Sequence, residues 1–130
     1  MSPLGSSVSL DLNVVPFKMR KRLDSRIHEV NRMKSRYPSK IPVIVERNHR
    51  EKLLPNLEKI KYLVPPEVTL GQFVSMIRTR LSMPQSHSLC MLLNGKQMTS
   101  LTLTMSELYT EYHDHDGFLY MTYMLQDVFG

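Results

Sequence analysis

Few residues of this chain combine the types and spacing that enzyme chemistry needs. Cys90 is the single cysteine, and it lies in the apolar run Leu89–Leu93, whereas a reactive thiolate needs solvent and a positive neighbour. The sequence contains no Gly-rich phosphate loop and no Gly-x-Ser-x-Gly nucleophile motif. We therefore expect a buried structural cysteine and a protein that is not an enzyme.

Residues 113–116 read His-Asp-His-Asp and form the best candidate for a metal site. A closed metal site needs further ligands and hydrogen-bonded groups that orient them. The four residues directly precede Gly117, so they also form an Asp-Gly turn. We interpret the segment as a solvated polar loop and expect neither a metal nor a cofactor.

The basic residues are concentrated in the first half of the chain. The net charge is +5, but residues 1–61 carry 14 basic and 6 acidic side chains, whereas residues 62–130 carry 3 and 6. A basic surface attracts phosphate, yet Phe17 and Tyr37 bracket the basic run instead of alternating with it, as base-stacking aromatics do. Three interpretations stay open: a solvated face, a docking surface for acidic protein or anionic lipid, and, with least support, a nucleic-acid site. The basic surface residues are Arg20, Lys21 and Arg22.

The sequence closes on Phe129-Gly130, which is a different chemical signal. A glycine carboxylate has no Cβ beside it, so it can thread a narrow active site and be activated as an acyl donor. Composition alone places glycine at the end of about 7% of chains. The signal therefore depends on the fold that carries it.

Periodicity indicates the elements that must position these residues. Apolar runs predict four strands, at Ile41–Val45, Ile60–Val64, Leu89–Leu93 and Phe118–Tyr123. A long amphipathic helix begins at the capping box of Thr69 and Gln72, and a short helix begins at a second box of Thr104 and Glu107. The order ββαββ predicts an α+β domain in which one long helix packs across a four-stranded sheet.

The regions before this core differ from it in composition. Residues 1–15 indicate a mobile tail, although apolar and polar residues alternate over 8–14 as in a strand. A short helix over 16–22 and a longer one capped by Asp24 are expected next. No apolar run is long enough to span a membrane, and no secretory signal is evident. Tail, helical extension, core and C-terminal tail are thus expected at residues 1–15, 16–38, 39–125 and 126–130.

Several stretches resemble the autophagy ubiquitin-like modifiers, a family with light-chain-three and GABA-receptor-associated branches. They are Lys40–Arg47, Lys61–Pro65, Asp116–Tyr123 and Phe129-Gly130, within a match from about Pro16 to Gly130. Asn94-Gly95 and Asp116–Phe118 favour the light-chain-three branch, whereas Thr69–Phe73 is closer to the other. The resemblance implies a ubiquitin-like β-grasp with two extra N-terminal helices and a non-catalytic function.

The first activity that the resemblance implies is lipid conjugation. In the family, a protease exposes the glycine, and activating and conjugating enzymes pass it to phosphatidylethanolamine, whose two acyl chains give stable anchoring. Gly130 would be the conjugated residue and Phe129 part of the tail that these enzymes read. The implied location is the cytoplasm, and the autophagosome membrane after lipidation.

The second implied activity is binding of short motifs in cargo receptors and adaptors: an aromatic residue, two spacers, then Leu, Ile or Val. The peptide would add to the edge of the Lys61–Val64 strand. The aromatic pocket would be lined by Glu29, Met33, Pro42, Ile44, Lys61, Leu63 and Phe118. The aliphatic pocket would be lined by Tyr62, Val64, Pro65, Phe73, Met76 and Ile77, and acidic flanks of the motif would meet Lys59, Lys61 and Arg80.

Some residues depart from the family's pattern, and an alternative function remains. Phe73 is larger than the common leucine and Met76 is more pliable than a β-branched residue, so the second pocket is expected to be reshaped. The alternative is an unconjugated basic module that binds microtubules, anionic lipid or RNA through residues 17–36. Such binding would weaken steeply with salt.

Overall fold

The computed structural model describes residues 15–126. The alternating segment 8–14 and the tail residues Phe129 and Gly130 lie outside the described residues. In chain order, the elements are α1 (Phe17–Arg20), α2 (Leu23–Arg36), β1 (Ile41–Arg47), β2 (Lys61–Val64), α3 (Leu70–Leu81), β3 (Leu89–Leu93), β4 (Lys96–Gln97), α4 (Met105–Tyr112) and β5 (Leu119–Leu125).

The strands form one mixed sheet in the order β2-β1-β5-β3-β4. β1 and β5 are parallel, and the other neighbouring pairs are antiparallel. The α+β class is confirmed, but the expected number of strands is corrected from four to five, because β4 adds a short strand. Asn94 and Gly95 make that hairpin possible, since both adopt positive φ, at 53° and 75°.

Both faces of the sheet are covered. α3 packs Leu70, Phe73, Ile77 and Leu81 onto the main hydrophobic core on one face. On the other face, α1 and α2 cover a second cluster of four buried residues, Phe17, Val30, Ile44 and Phe118. Neighbouring residues of β1 serve different clusters because successive side chains point to opposite faces of a strand.

Most element boundaries agree with the sequence pattern. Both predicted capping boxes are confirmed, and β3 has the predicted bounds. Asp24 as the N-cap of α2 is wrong: Arg22 has extended backbone (φ −68°, ψ 154°) and α2 begins at Leu23. Asp24 lies in the first turn, where a negative charge favours the helix N-terminus.

The last strand is also displaced from its predicted position. It begins one residue after Phe118 and continues to Leu125. Phe118 instead packs in the second cluster. Among residues 15–126, no helix has the length and apolar character needed to cross a membrane.

Candidate functional site

β2 is an edge strand whose second side pairs with no other strand in the described part of the chain. The Val45 N–H donates to the Ile60 carbonyl at 2.8 Å, which identifies a hydrogen-bonded pair of the antiparallel ladder. Such pairs recur at every second residue, so Tyr62 also directs its backbone groups toward β1. Lys61 and Leu63 therefore direct theirs outward, toward the open edge.

The side chains of β2 alternate between the two faces of the sheet. Lys61 points toward α2, where its ammonium forms a salt bridge with Glu29. Leu63 shares that side and lines a groove along α2. Tyr62 and Val64 point the other way, into the main core beneath α3. A single edge strand thus separates two different side-chain environments.

The α2 side carries a groove of about 710 Å³. Three residues expected in the aromatic pocket, Glu29, Met33 and Leu63, line it directly. Ile44 and Phe118 do not, because both are fully buried in the second cluster, and they form the layer beneath. Pro42 is buried as well. The groove's full lining is Lys21, Asp24, Ser25, His28, Glu29, Arg32, Met33, Arg36, Tyr37 and Leu63.

On the α3 side, the residues expected in the aliphatic pocket lie together but mostly inside the core. Phe73 and Ile77 are fully buried, and the Phe73 ring meets the Tyr62 ring edge-on with centroids 5.9 Å apart. Of the six expected residues, Pro65 and Met76 are half-buried and the other four are buried. A ligand side chain on this face would rest on core residues.

Two cations lie over the Tyr62 ring. The Lys59 ammonium lies 5.2 Å from the ring centroid and the Arg80 guanidinium 5.4 Å from it. Burial raises the pKa of Tyr62, while Arg80 opposes that change. The two residues expected to meet acidic flanks are thereby placed on the α3 side, whereas Lys61 lies on the α2 side.

A buried polar network under α2 was missed in the sequence. Arg26, 7% exposed, donates from Nη1 to Asp116 Oδ2 at 2.5 Å. The Tyr120 hydroxyl donates to the same oxygen at 2.5 Å, and the Phe118 N–H donates to Asp116 Oδ1 at 2.8 Å. Burial, together with the hydrogen bond to Asp116, raises the pKa of Tyr120 far above its usual value.

This network corrects the interpretation of the His-Asp-His-Asp segment as a solvated loop. Asp116 is only 2% exposed, and Asp114 forms a salt bridge with Lys18 of α1. The signal was present in the sequence, because Arg26 shares the helical face of Val30 and Met33 through i, i+4 and i+7 spacing. The two aspartates fasten the N-terminal helices to the sheet.

The residues considered above for enzyme chemistry lie where their contacts support the fold. Cys90 is buried, and burial raises the pKa of its thiol, only partly offset by Arg50. The His113 ring stacks on Tyr109 with centroids 4.8 Å apart. Over residues 15–126, no cluster of three or more His, Cys, Asp or Glu side chains is arranged to hold a metal ion.

The basic surface residues Arg20, Lys21 and Arg22 are exposed. Arg22 pairs with Asp24, and Arg20 Nε donates to the Val15 carbonyl at 3.0 Å. Arg20 and Lys21 also line a second cavity of about 820 Å³. That cavity has mixed charge, since its walls include Arg47, His49, Lys52 and Lys61 together with Glu46 and Glu58.

Comparisons with known proteins agree with this architecture. The family model described as "Autophagy protein Atg8 ubiquitin like" matches residues 25–130. The human microtubule-associated protein 1 light chain 3 gamma is 48% identical over 118 residues, which are 91% of this chain and 80% of that protein. Protein lgg-2 of Caenorhabditis elegans is 38% identical over 97% of this chain and 95% of its own length. The crystal structure of Trypanosoma brucei ATG8 superposes with a TM-score of 0.80 at 33% identity, covering 89% of this chain and 98% of that one.

Proposed function

The chain belongs to the Atg8 family of autophagy ubiquitin-like proteins, and we propose that it acts as a lipid-conjugated adaptor of autophagic membranes. Membership in the family makes it a modifier that is not an enzyme and needs no cofactor. In our proposal, Gly130 is joined to phosphatidylethanolamine, and the β2 edge binds aromatic-x-x-aliphatic motifs of cargo receptors and adaptors. The protein would then work in the cytoplasm and on autophagosome membranes.

The observation that carries the motif-binding proposal is the match between motif spacing and the two sides of β2. Lys61 and Leu63 direct their backbone groups toward the open edge, where a peptide strand can pair with them. Residues three apart in a strand point to opposite faces. The aromatic and aliphatic residues of the motif would therefore face the α2 groove and the α3 side, respectively.

Charge on the protein favours peptides with acidic flanks. Lys61 lies at the α2 side of the edge, and Lys59 and Arg80 lie over Tyr62 at the other. An acidic residue before the aromatic position would compete with Glu29 for Lys61. This exchange gives specificity more than affinity, because the salt bridge with Glu29 must first be given up.

The motif proposal is tested by NMR titration of the full chain with an aromatic-x-x-Leu peptide. We expect saturable shifts at Lys61–Val64 and Ile77 with a micromolar Kd, which corresponds to about −8 kcal/mol. Leu63→Pro removes the outward N–H and is tolerated by an edge strand, so it should abolish binding without unfolding the chain. Leu63→Ala is the matched control, since it truncates the same side chain but keeps the N–H. Equal affinity of the two variants, or no saturable shift in the parent, would contradict the proposal.

The conjugation proposal is supported by the family match, which extends through residue 130 and so includes Phe129-Gly130. It is tested by incubating the chain with activating and conjugating enzymes, ATP and phosphatidylethanolamine vesicles, and by measuring the adduct mass. Gly130→Ala should abolish the adduct. Gly95→Ala is the control, because it makes the same substitution in an exposed turn where a Cβ meets nothing within 4 Å, so that the strain of the positive φ stays within that turn. An adduct of normal yield on Gly130→Ala would refute conjugation at this residue.

The alternative, an unconjugated basic module, is favoured by the exposed run Arg20–Arg22. The surface is smaller than the sequence suggested, because Arg26 is buried against Asp116 and Lys18 is paired with Asp114. If this surface binds microtubules, anionic lipid or RNA, affinity should fall steeply with salt. Replacing Arg20 and Arg22, which do not line the α2 groove, with glutamine should then reduce the salt dependence while motif binding persists. The two surfaces meet at Lys21, which lines the α2 groove, so each variant is tested for both activities.

A further inference from the structure

The loop that follows β1 is tied to the end of β5 by one buried side chain. Glu51 is 4% exposed. Its Oε2 accepts the backbone N–H groups of Leu53 and Leu54 at 2.9 and 2.8 Å, and its Oε1 accepts the N–H of Leu125 at 2.8 Å. Leu125 is the last residue of β5, so the loop and the base of the C-terminal tail form one unit.

Beyond the end of the β1–β5 ladder, the Glu51 carboxylate accepts the backbone N–H that β1 no longer reaches. β1 pairs with β5 as far as Arg47 and Tyr123, and the Asn48 N–H still reaches the Tyr123 carbonyl at 2.9 Å. Burial alone would raise the pKa of Glu51, but the three N–H groups of Leu125, Leu54 and Leu53 outweigh it and hold the pKa below its ordinary value. The carboxylate therefore stays ionised at neutral pH and fixes the loop.

The tip of this loop exposes an apolar side chain among cations. Leu53 is 82% exposed, more than any other large hydrophobic side chain of residues 15–126. His49, Arg50 and Lys52 beside it are exposed too, and Arg50 Nη2 lies 3.9 Å from Met124 Sδ near the end of β5. A single exposed leucine needs no explanation by itself. A leucine tied through Glu51 to the end of β5 and surrounded by cations has the composition of a membrane-contacting tip.

We infer that this tip, residues 49–53, contacts the anionic phospholipid surface to which the chain is anchored. The inference rests on the proposed conjugation at Gly130. Residues 126–130 span at most about 17 Å when fully extended, so the anchor keeps the loop close to the bilayer. Leu53 enters the interface between headgroups and acyl chains, while Arg50 and Lys52 meet lipid phosphates, to which basic residues near an anionic surface are attracted.

This orientation keeps the motif-binding edge accessible. β5 ends beside the C-terminal end of β1, whereas Val64 at the end of β2 pairs with Ile41 at the opposite end of β1. β2 therefore runs away from the membrane. A lipid-anchored chain with Leu53 in the interface presents its open edge sideways and outward, to peptides arriving from the solvent.

The sequence contains no tryptophan, so Leu53→Trp places a single tryptophan at the tip, whose emission can be excited apart from that of the tyrosines. The full-length variant is conjugated to phosphatidylethanolamine in vesicles that contain phosphatidylserine and brominated phosphatidylcholine, whose bromines quench tryptophan at the membrane. We expect a blue-shifted emission and loss of most of the fluorescence relative to vesicles without bromine. Leu101→Trp is the matched control: Leu101 is 53% exposed, and its carbonyl accepts the Gly71 N–H at the start of α3, at the far end of the sheet. Its fluorescence should be unchanged.

The outcomes distinguish failure of the membrane-contact inference from failure of the proposed conjugation at Gly130. If both variants form the adduct but Leu53→Trp is not quenched, or Leu101→Trp is quenched equally, the inference is wrong and conjugation stands. If the parent chain forms no adduct, the proposed function fails and the inference fails with it. If Leu53→Trp alone blocks conjugation, the loop serves a conjugating enzyme instead of the bilayer, and the inference is overturned.

Discussion

Asp116→Ala should release the N-terminal helices from the sheet. The carboxylate accepts hydrogen bonds from Arg26, Tyr120 and the backbone of Phe118. Its removal leaves the guanidinium of Arg26 buried without its anion and leaves two further donors unsatisfied. The second hydrophobic cluster, which contains Phe118, then loses the network that holds α2 over it.

The expected loss of unfolding free energy follows from the burial of the Arg26–Asp116 ion pair. Removing one partner of a buried ion pair costs about 3–5 kcal/mol, because the remaining charge is uncompensated. Domains of this size unfold with about 5–15 kcal/mol in total, so the variant loses a large share of its stability. Asp24→Ala is the matched control, since Asp24 pairs with Arg22 of the same helical region but at the surface. Exposed pairs contribute about 0–1 kcal/mol.

Urea unfolding of the full chain, followed by circular dichroism, measures the difference. Since small proteins have m-values of about 1–3 kcal/mol/M, Asp116→Ala should lower the midpoint by about 2 M and Asp24→Ala by less than about 0.5 M. A matched apolar pair, Arg26→Leu with Asp116→Leu, should recover part of the loss because it leaves no buried charge. The reasoning is refuted if Asp116→Ala shifts the midpoint no more than Asp24→Ala does.

Three further substitutions test single local contributions to the stability of the fold. Gly117→Ala should cost about 1–3 kcal/mol more stability than Gly95→Ala. Both glycines have positive φ, but a Cβ at Gly117 would lie 2.8 Å from Val30 Cγ1, and fitting it would strain the packing. Equal thermal unfolding temperatures of the two variants would show that the Val30 side chain moves aside without cost. Glu51→Gln should cost about 2 kcal/mol at neutral pH, because charged hydrogen bonds to N–H groups are lost. The lowered pKa of Glu51 means that this stabilisation is complete above the ordinary value of 4.5 and disappears as pH falls through the lower folded value. The unfolding midpoints of the variant and the parent should therefore converge as the pH is lowered below 4.5, and a constant gap would contradict the assignment. Thr69→Ala should cost about 1 kcal/mol through loss of the capping box, as urea midpoints would show, and an unchanged midpoint would indicate that packing of α3 alone sets its start.

Local patterns predicted the elements because their causes are local. The Thr69 and Thr104 capping boxes and the strand at Leu89–Leu93 are set by residues within one turn or one run. The fifth strand was missed because its two residues, Lys96 and Gln97, are exposed and polar. They pair only because Asn94-Gly95 reverses the chain.

The long-range contacts could not be derived in this way. Arg26 and Asp116 are 90 residues apart, and each resembles an ordinary surface charge until α2 is placed over the sheet. The pocket residues came from a family resemblance instead of periodicity, and the structure distributes them unequally. Glu29, Met33 and Leu63 reach a groove, whereas Ile44 and Phe118 support it from below.

The helices on the two faces of the sheet are attached by different interactions. The main core contains nineteen buried residues, whereas the cluster under α1 and α2 contains four. With so little apolar surface, the attachment of α2 depends on the Arg26–Asp116 pair and on the salt bridge of Glu29 with Lys61. Local opening occurs where few apolar contacts are buried, so α2 should detach at a lower free energy than the core unfolds.

Because α2 forms one wall of the groove beside β2, detachment would remove the aromatic side of the motif site while leaving the α3 side and the β2 edge in place. Peptides that depend on their aromatic residue would then lose affinity under mild destabilisation, before any peptide held by its backbone pairing alone.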